Sequence, residues 1–304
     1  MRLDGIDHIT GITADGQRCL DFYAGILGLA FLGRERDFEA PDSHLIRLGS
    51  HPEHPEGVLA FIEAPGVGRG RAGNGMVRRL RWSVRSTAAL DYWGDRLSHA
   101  GIEVHATEGE RGGRLGFSDP EGLEHEFAVD RAAPGPGLVP ATGAIPAQHA
   151  ILRLAGVSAY GRERVPSADI LAGRLAFRVT GPDSYAVGTA SRASGFVFDR
   201  PPLQRGHLGA GTIHHVAWAT EGSLPAWRQR VVGMGCVATP VIDRRHCRSI
   251  YFREPSGVLF EIAAASSHGG APADRPAAPR LRRISPKVDP RVRAETLGSA
   301  QSTL

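Results

Sequence analysis

Along this chain, period-two alternation of apolar and polar residues gives way to helical spacing and then returns, and the cycle recurs four times. The first cycle opens with strand-like alternation over 6–13 and passes into a helix over 17–27. There Leu20, Tyr23, Ala24 and Leu27 share a face and Gly28 provides the stop. Extended segments follow, the last at 57–62. The second cycle has a strand at 77–84, a helix over 88–100 closed by Gly101, and extended sequence through 117–129. The fourth repeats that order, with a strand at 212–220, a helix at 225–232, Gly233 and Gly235, and the run 252–261. Asp119-Pro120-Glu121-Gly122 and Glu254-Pro255-Ser256-Gly257 hold the same place in these two cycles and read as turns joining strands. The third cycle is the faintest: a strand at 152–159, a short helical turn at 167–171, and extended pieces at 175–180 and 196–199.

One strand, one helix and three strands make a βαβββ module, and four modules predict an α+β fold with curved mixed sheets. Taken in chain order they pair into two domains: an N-terminal two-module domain over 1–133 and a C-terminal one over 150–265. The Pro/Gly-rich stretch beginning at Ala132-Ala133-Pro134-Gly135 reads as a linker, 134–149, and 266–304 as a disordered basic tail rich in Pro, Ala and Arg.

Composition narrows the function classes. With 41% hydrophobic and 22% charged residues the chain reads as a water-soluble globular protein. No apolar run approaches the ~20 residues of a membrane span, and the N-terminus does not read as a signal peptide. The formal net charge of +4 raises the question of nucleic acid. From Ala271 onward, however, seven basic residues stand against three acidic ones, so the excess belongs to the tail and no nucleic-acid partner is expected. Cys19, Cys236 and Cys247 are widely spaced and form no CxxC pair, which predicts reduced thiols and a cytoplasmic protein.

Candidate chemistry comes from residues that break the apolar pattern. Gly5-Ile6-Asp7-His8-Ile9-Thr10 and Gly211-Thr212-Ile213-His214-His215-Val216-Ala217 are related first strands, and aligning them places His8 on His215. Glu261 lies in the apolar last strand of the fourth module, where a buried carboxylate without a partner is costly. A lone strand His is normally a core residue. Two at matched positions plus a Glu match the two-His, one-carboxylate set of non-haem Fe(II) oxygenases, which leaves coordination positions open. The second module carries Arg79 at the His position, and its Glu126 therefore lacks a His partner, so that pair of modules reads as scaffold. Phe61 is taken as the first-module counterpart of Glu261, and Phe cannot ligate. Thr10 lies two residues beyond His8, on the same strand face. His214, next to a ligand, should point to the other face unless a bulge re-aims it. His44, His51, His54 and His246 sit in loop-like sequence and are not expected to ligate.

These strings, with Asp21-Phe22-Tyr23-Ala24-Gly25-Ile26-Leu27-Gly28-Leu29, Pro240-Val241-Ile242-Asp243-Arg244 and the run from Arg248 to Glu261, resemble the vicinal oxygen chelate superfamily. Within it they are most similar to the hydroquinone-type ring-cleaving extradiol dioxygenases. The resemblance covers about residues 3 to 265. It implies that the first and fourth modules share one metal cup holding Fe(II), with Mn(II) fitting the same ligands. The implied substrates are a small aromatic diol and O₂, and superfamily members often form homodimers. It also implies second-sphere roles for His214 as acid or base, Arg244 on a ring oxyanion and Tyr251 on a ring oxygen. Asp7 stands where relatives often have His.

Two other readings use the same scaffold. A glyoxalase-like isomerase or transferase would use Ni(II), Zn(II) or Mn(II) and would commonly carry a further carboxylate at the first-module position. A binding protein of the bleomycin-resistance kind would need no metal, and His8, His215 and Glu261 together argue against it.

Overall fold

The computed structural model describes residues 1–36, 43–49, 58–107, 113–131, 145–189, 193–243 and 247–265. Each repeat folds as expected. The first module comprises β1 (Ile6–Thr13), α1 (Gly16–Leu20, continuing as a π-helical turn over Asp21–Ile26), β2 (Ala30–Arg36), β3 (His44–Gly49) and β4 (Val58–Glu63). The second has β5 (Met76–Val84), α2 (Thr87–His99), β6 (Val104–Thr107), β7 (Arg114–Ser118) and β8 (Glu124–Val129). The third, faint in sequence, is complete: β9 (Arg153–Tyr160), α3 (Arg164–Ala168, with a π-helical turn Asp169–Arg174), β10 (Arg178–Gly181), β11 (Ser184–Val187) and β12 (Ser194–Asp199). The fourth has β13 (Thr212–Ala219), α4 (Leu224–Gly233), β14 (Ile242–Asp243), β15 (Cys247–Arg253) and β16 (Leu259–Ala265).

Side-chain caps open α1 and α2: the Asp15 carboxylate accepts from the Arg18 N–H, and the Ser86 hydroxyl accepts from the Ala89 N–H. The extended segment expected from 175 begins only at Arg178. Leu175 and Phe177 are buried, and their N–H groups close the preceding turn onto Ile170 and Leu171 carbonyls. Of the linker 134–149, residues 134–144 lie outside the described residues, and Ala147–His149 form a 3₁₀ turn. The tail 266–304 also lies outside them. No helix among the described residues is long and apolar enough to cross a membrane.

Strand pairing cuts across chain order. One eight-stranded sheet runs β14-β15-β16-β13-β1-β4-β3-β2 and joins the fourth module to the first. The other runs β10-β11-β12-β9-β5-β8-β7-β6 and joins the third to the second. Helix contacts tie the modules the other way, the first to the second and the third to the fourth. The Asp119 carboxylate accepts from the N–H groups of Glu121 and Leu123 in its own turn, and from the Tyr23 hydroxyl on the first module's helix. Glu254 likewise accepts from Ser256 and Val258 N–H groups and from the Ser167 hydroxyl on the third module's helix. Both turn carboxylates are buried, so these hydroxyls meet a demand that water cannot. Around them lie two aromatic clusters. Phe22, Tyr23, Phe61, Phe117 and His125 link the first two modules, and Phe177, Phe196, Trp218 and Phe260 link the last two.

Two irregularities in the β1–β13 ladder position the site. The antiparallel register passes from Ile6↔Trp218 to His8↔Ala217, leaving Asp7 as an extra residue, and from Thr10↔His215 to Gly11↔Ile213, leaving His214 as another. The β5–β9 ladder repeats this, with Arg78 and Ala155 as the extra residues. Such bulges bend the strand and re-aim side chains.

Candidate metal centre

His8 and His215 come from the two central strands of the first sheet and Glu261 from the strand beside β13. Their register brings the three side chains together: His8 is opposite Ala217, which is beside Glu261, and His215 lies two residues before Ala217. One donor atom from each lies within 4.8 Å of the others. Glu261 Oε2 is 3.3 Å from His8 Nε2 and 2.9 Å from His215 Nε2. The imidazoles meet edge to face with centroids 5.6 Å apart.

Burial is severe for Glu261, 1% exposed, and for His215, 6% exposed. Both Glu261 oxygens and His215 Nε2 are buried with no hydrogen-bond partner: the His215–Glu261 pair is close but not aligned as a hydrogen bond. Burial pushes the Glu261 carboxyl up, yet the neighbouring His8 and His215 outweigh it and hold it well below the ordinary carboxylate range. Burial also works against charge on His8, but Glu261 and Asp7 overcome it and raise its pKa to about 10. Burial lowers His215 to about 4, only partly offset by Glu261. The site therefore requires one positive charge among orphaned donors that converge on a point. A divalent ion with bonds of about 2.0–2.2 Å to His and carboxylate meets that requirement, so the residues fit a metal.

Both extra residues of the ladder grip the back of these rings. Asp7 Oδ2 lies 2.8 Å from His8 Nδ1, and His214 Nδ1 lies 2.9 Å from His215 Nδ1. Strand alternation alone would send Asp7 and His214 to the opposite face; the bulges turn them back. A carboxylate accepting from Nδ1–H fixes the tautomer that presents Nε2 to the ion. Asp7→Ala is accordingly expected to weaken metal retention by roughly 10- to 100-fold with the fold intact, since the Asp7 side chain is 43% exposed. Competition with a chelator of known affinity measures it.

Thr10 is buried and stands opposite His215 in the ladder. Tyr251 faces Glu261 across the β15–β16 pair, and its ring centroid is 5.3 Å from that of His215. Arg244 lies outside the described residues, as do His51, His54 and His246, while His44 lies on β3.

The assignment of Phe61 needs correction. Glu261 pairs with the residue two beyond His215, and the residue two beyond His8, Thr10, pairs with Ala60. Phe61 points the other way, its ring 4.7 Å from Tyr23 of the first helix. The first-module position is thus held by Ala60, which still offers no ligand. In the second sheet the equivalent residues are Arg79, Gly156 and Glu126. There Glu126 accepts from Arg79 at 3.1 Å and from Arg81 and Arg114, each at 3.2 Å. Guanidinium groups supply the positive charge in that sheet.

The metal-facing surface also continues past the ligands. A pocket of about 410 Å³ is lined by His214 and His215 and by Ile213, Leu259 and Arg253, with Met76 across from them. Sequence reading passed over these residues, although each of Ile213, Leu259 and Arg253 is two positions from His215, Glu261 or Tyr251.

Residues 5–127 match the profile of the Glyoxalase/Bleomycin resistance protein/Dioxygenase superfamily. Over 267 residues the chain is 33% identical to the "Putative ring-cleaving dioxygenase MhqO" of Bacillus subtilis (strain 168), covering 85% of this chain and 84% of that one. It is 30% identical over 269 residues to MhqE of the same organism, covering 86% and 87%. The crystal structure of a "putative dioxygenase from Bacillus subtilis subsp. subtilis str. 168" superimposes with a TM-score of 0.78 at 27% identity, covering 87% of this chain and 86% of that one. Glyoxalase I from Zea mays, at 15% identity and a TM-score of 0.63, covers 86% of this chain and 92% of that one and shares the fold.

Proposed function

This chain belongs to the glyoxalase/bleomycin resistance protein/dioxygenase superfamily, and from that premise we propose that it is a non-haem Fe(II)-dependent extradiol-type dioxygenase that opens a hydroquinone or catechol ring with O₂. The observation that carries the proposal is the convergence of two imidazoles and one carboxylate in a buried site, with no fourth protein ligand among the described residues. The absent fourth ligand favours oxygen chemistry over the glyoxalase-like alternative, because Ala60 stands where a further carboxylate would be needed. When bound, Fe(II) supplies the redox capacity that O₂ chemistry requires and leaves positions open for the diol and oxygen.

The chain's own residues prepare the substrate. Tyr251, on the same rung as Glu261, would donate its hydroxyl proton to a ring oxygen as charge develops there. The His214 imidazole, held against His215, would take a diol proton and return it to the product. The buried Thr10 hydroxyl offers a donor on the other central strand. Apolar burial around Glu261 keeps bulk water from the reacting atoms.

Anaerobically purified protein is expected to hold one equivalent of iron per chain and to consume O₂ stoichiometrically with a hydroquinone or a catechol. An active preparation that needs no redox metal would overturn this reading. So would reconstituted protein that consumes no O₂ across a panel of both diol types.

A further inference from the structure

We propose that the substrate carries a carboxylate on its ring and that Arg253 recognises it. The inference rests on the dioxygenase reading and names the substrate class it leaves open. Two neighbouring strands run from the ligand level to the pocket level in step: Glu261 to Leu259 on β16, and Tyr251 to Arg253 on β15. Residues two apart on a strand share a face and lie roughly 7 Å apart. The pairing of β15 with β16 is uninterrupted from Cys247↔Ala265 to Arg253↔Leu259, so Arg253 continues the face on which Tyr251 and Glu261 lie. The pocket of about 410 Å³ is therefore the next level of the metal cup.

Its size and chemistry indicate what fills it. A cavity of roughly 150 Å³ is enough for benzene, so a bare diol would leave most of this one to water. Met76, Leu208, Ile213 and Leu259 provide apolar wall, and the titratable lining residues are His207, His214, His215 and Arg253, with no carboxylate among them. The Arg253 guanidinium is steadied by one donation to the Gly257 carbonyl at 2.8 Å, and no described carboxylate pairs with it. It retains N–H donors in the planar arrangement that matches a carboxylate. A ring held at the metal by its oxygens would direct an acidic substituent toward this end.

The test uses the full chain, Arg253→Met and Arg253→Lys. Anaerobic calorimetry with benzoate and benzamide probes the pocket without turnover, and O₂ uptake with hydroquinone and hydroquinone carboxylate probes the reaction. Wild type is expected to bind benzoate at least about tenfold more tightly than benzamide and to favour hydroquinone carboxylate through KM. Arg253→Met should raise that KM and the benzoate Kd about tenfold or more, with a much smaller change in the KM for hydroquinone, and Arg253→Lys should restore part of the preference. Equal affinity for benzoate and benzamide, or a preference that survives Arg253→Met, overturns the proposal. If benzoate binds through Arg253 and neither diol consumes O₂, the pocket assignment stands and the oxygenase reading is what fails.

Discussion

Glu261→Ala is expected to leave the protein folded but without metal, lowering affinity more than about 100-fold, whereas Glu126→Ala should keep its metal at wild-type stoichiometry. The two glutamates occupy the same position in two related sheets: Glu261 pairs with Ala217, two residues beyond His215, and Glu126 pairs with Arg81, two residues beyond Arg79. Their surroundings differ in one decisive respect. The described ion-pair neighbours of Glu261 are imidazoles, and both of its oxygens lack hydrogen bonds. Glu126 is saturated by three arginines. Losing a group that merely orients a ligand costs roughly 10- to 100-fold in metal affinity, so losing a ligand outright should cost more. Removing Glu126 instead leaves partly exposed guanidinium groups facing one another, a stability cost of the order of 1–2 kcal/mol once solvent screening is allowed for. Metal analysis after gel filtration, together with Tm measured with and without added metal, separates the two effects. A metal-free Glu126→Ala protein would show that the cup has been placed in the wrong sheet.

How much of this was legible in sequence depended on which signals are local. Period-two and helical spacing marked every module, and the shared Asp/Glu-Pro-x-Gly turn anchored the last strands of the second and fourth. That anchor made Glu126 and Glu261 comparable by eye. The first module has His54-Pro55-Glu56-Gly57 before β4, and alignment on it selects Phe61, whereas the β1–β4 register sets Ala60 beside Thr10, one residue away and on the other sheet face. The bulges at Asp7 and His214 were visible only as an allowed exception, because an extra residue in a ladder is a property of the pair of strands. Arg253 reads as an ordinary exposed strand-end residue until the pocket gives it a neighbourhood. His125 raised no signal, because its partners Trp82 and Tyr23 are 43 and 102 residues away.

That histidine makes stability fall in acid. His125 is 1% exposed; its Nδ1 accepts from Trp82 Nε1–H at 3.0 Å, which places its own proton on Nε2, facing the Tyr23 hydroxyl at 3.1 Å. Tyr23 donates onward to Asp119 at 2.9 Å. A second proton on the ring would set Nδ1–H against the indole N–H, and burial lowers the pKa from 6.5 to about 3. Below pH 6.5 the unfolded chain takes up this proton and the folded chain does not. The unfolded state thus binds more protons, and folding loses roughly 1.4 kcal/mol per pH unit. The loss should reach about 2 kcal/mol at pH 5 and about 5 kcal/mol near pH 3, below which it grows no further. Asp119 acts with the opposite sign, since burial raises its pKa from 3.8 to about 6 and the folded state gains its proton first. A wild-type profile alone would therefore mix the two. His125→Gln retains an acceptor for Trp82 and a donor for Tyr23 but cannot titrate, so Asp119 contributes similarly to both proteins. Urea unfolding at pH 7, 6 and 5 should show wild type losing about 2 kcal/mol more than His125→Gln over that interval. Parallel profiles would mean that the buried ring does take up a proton in the folded state, with the indole turned away from it.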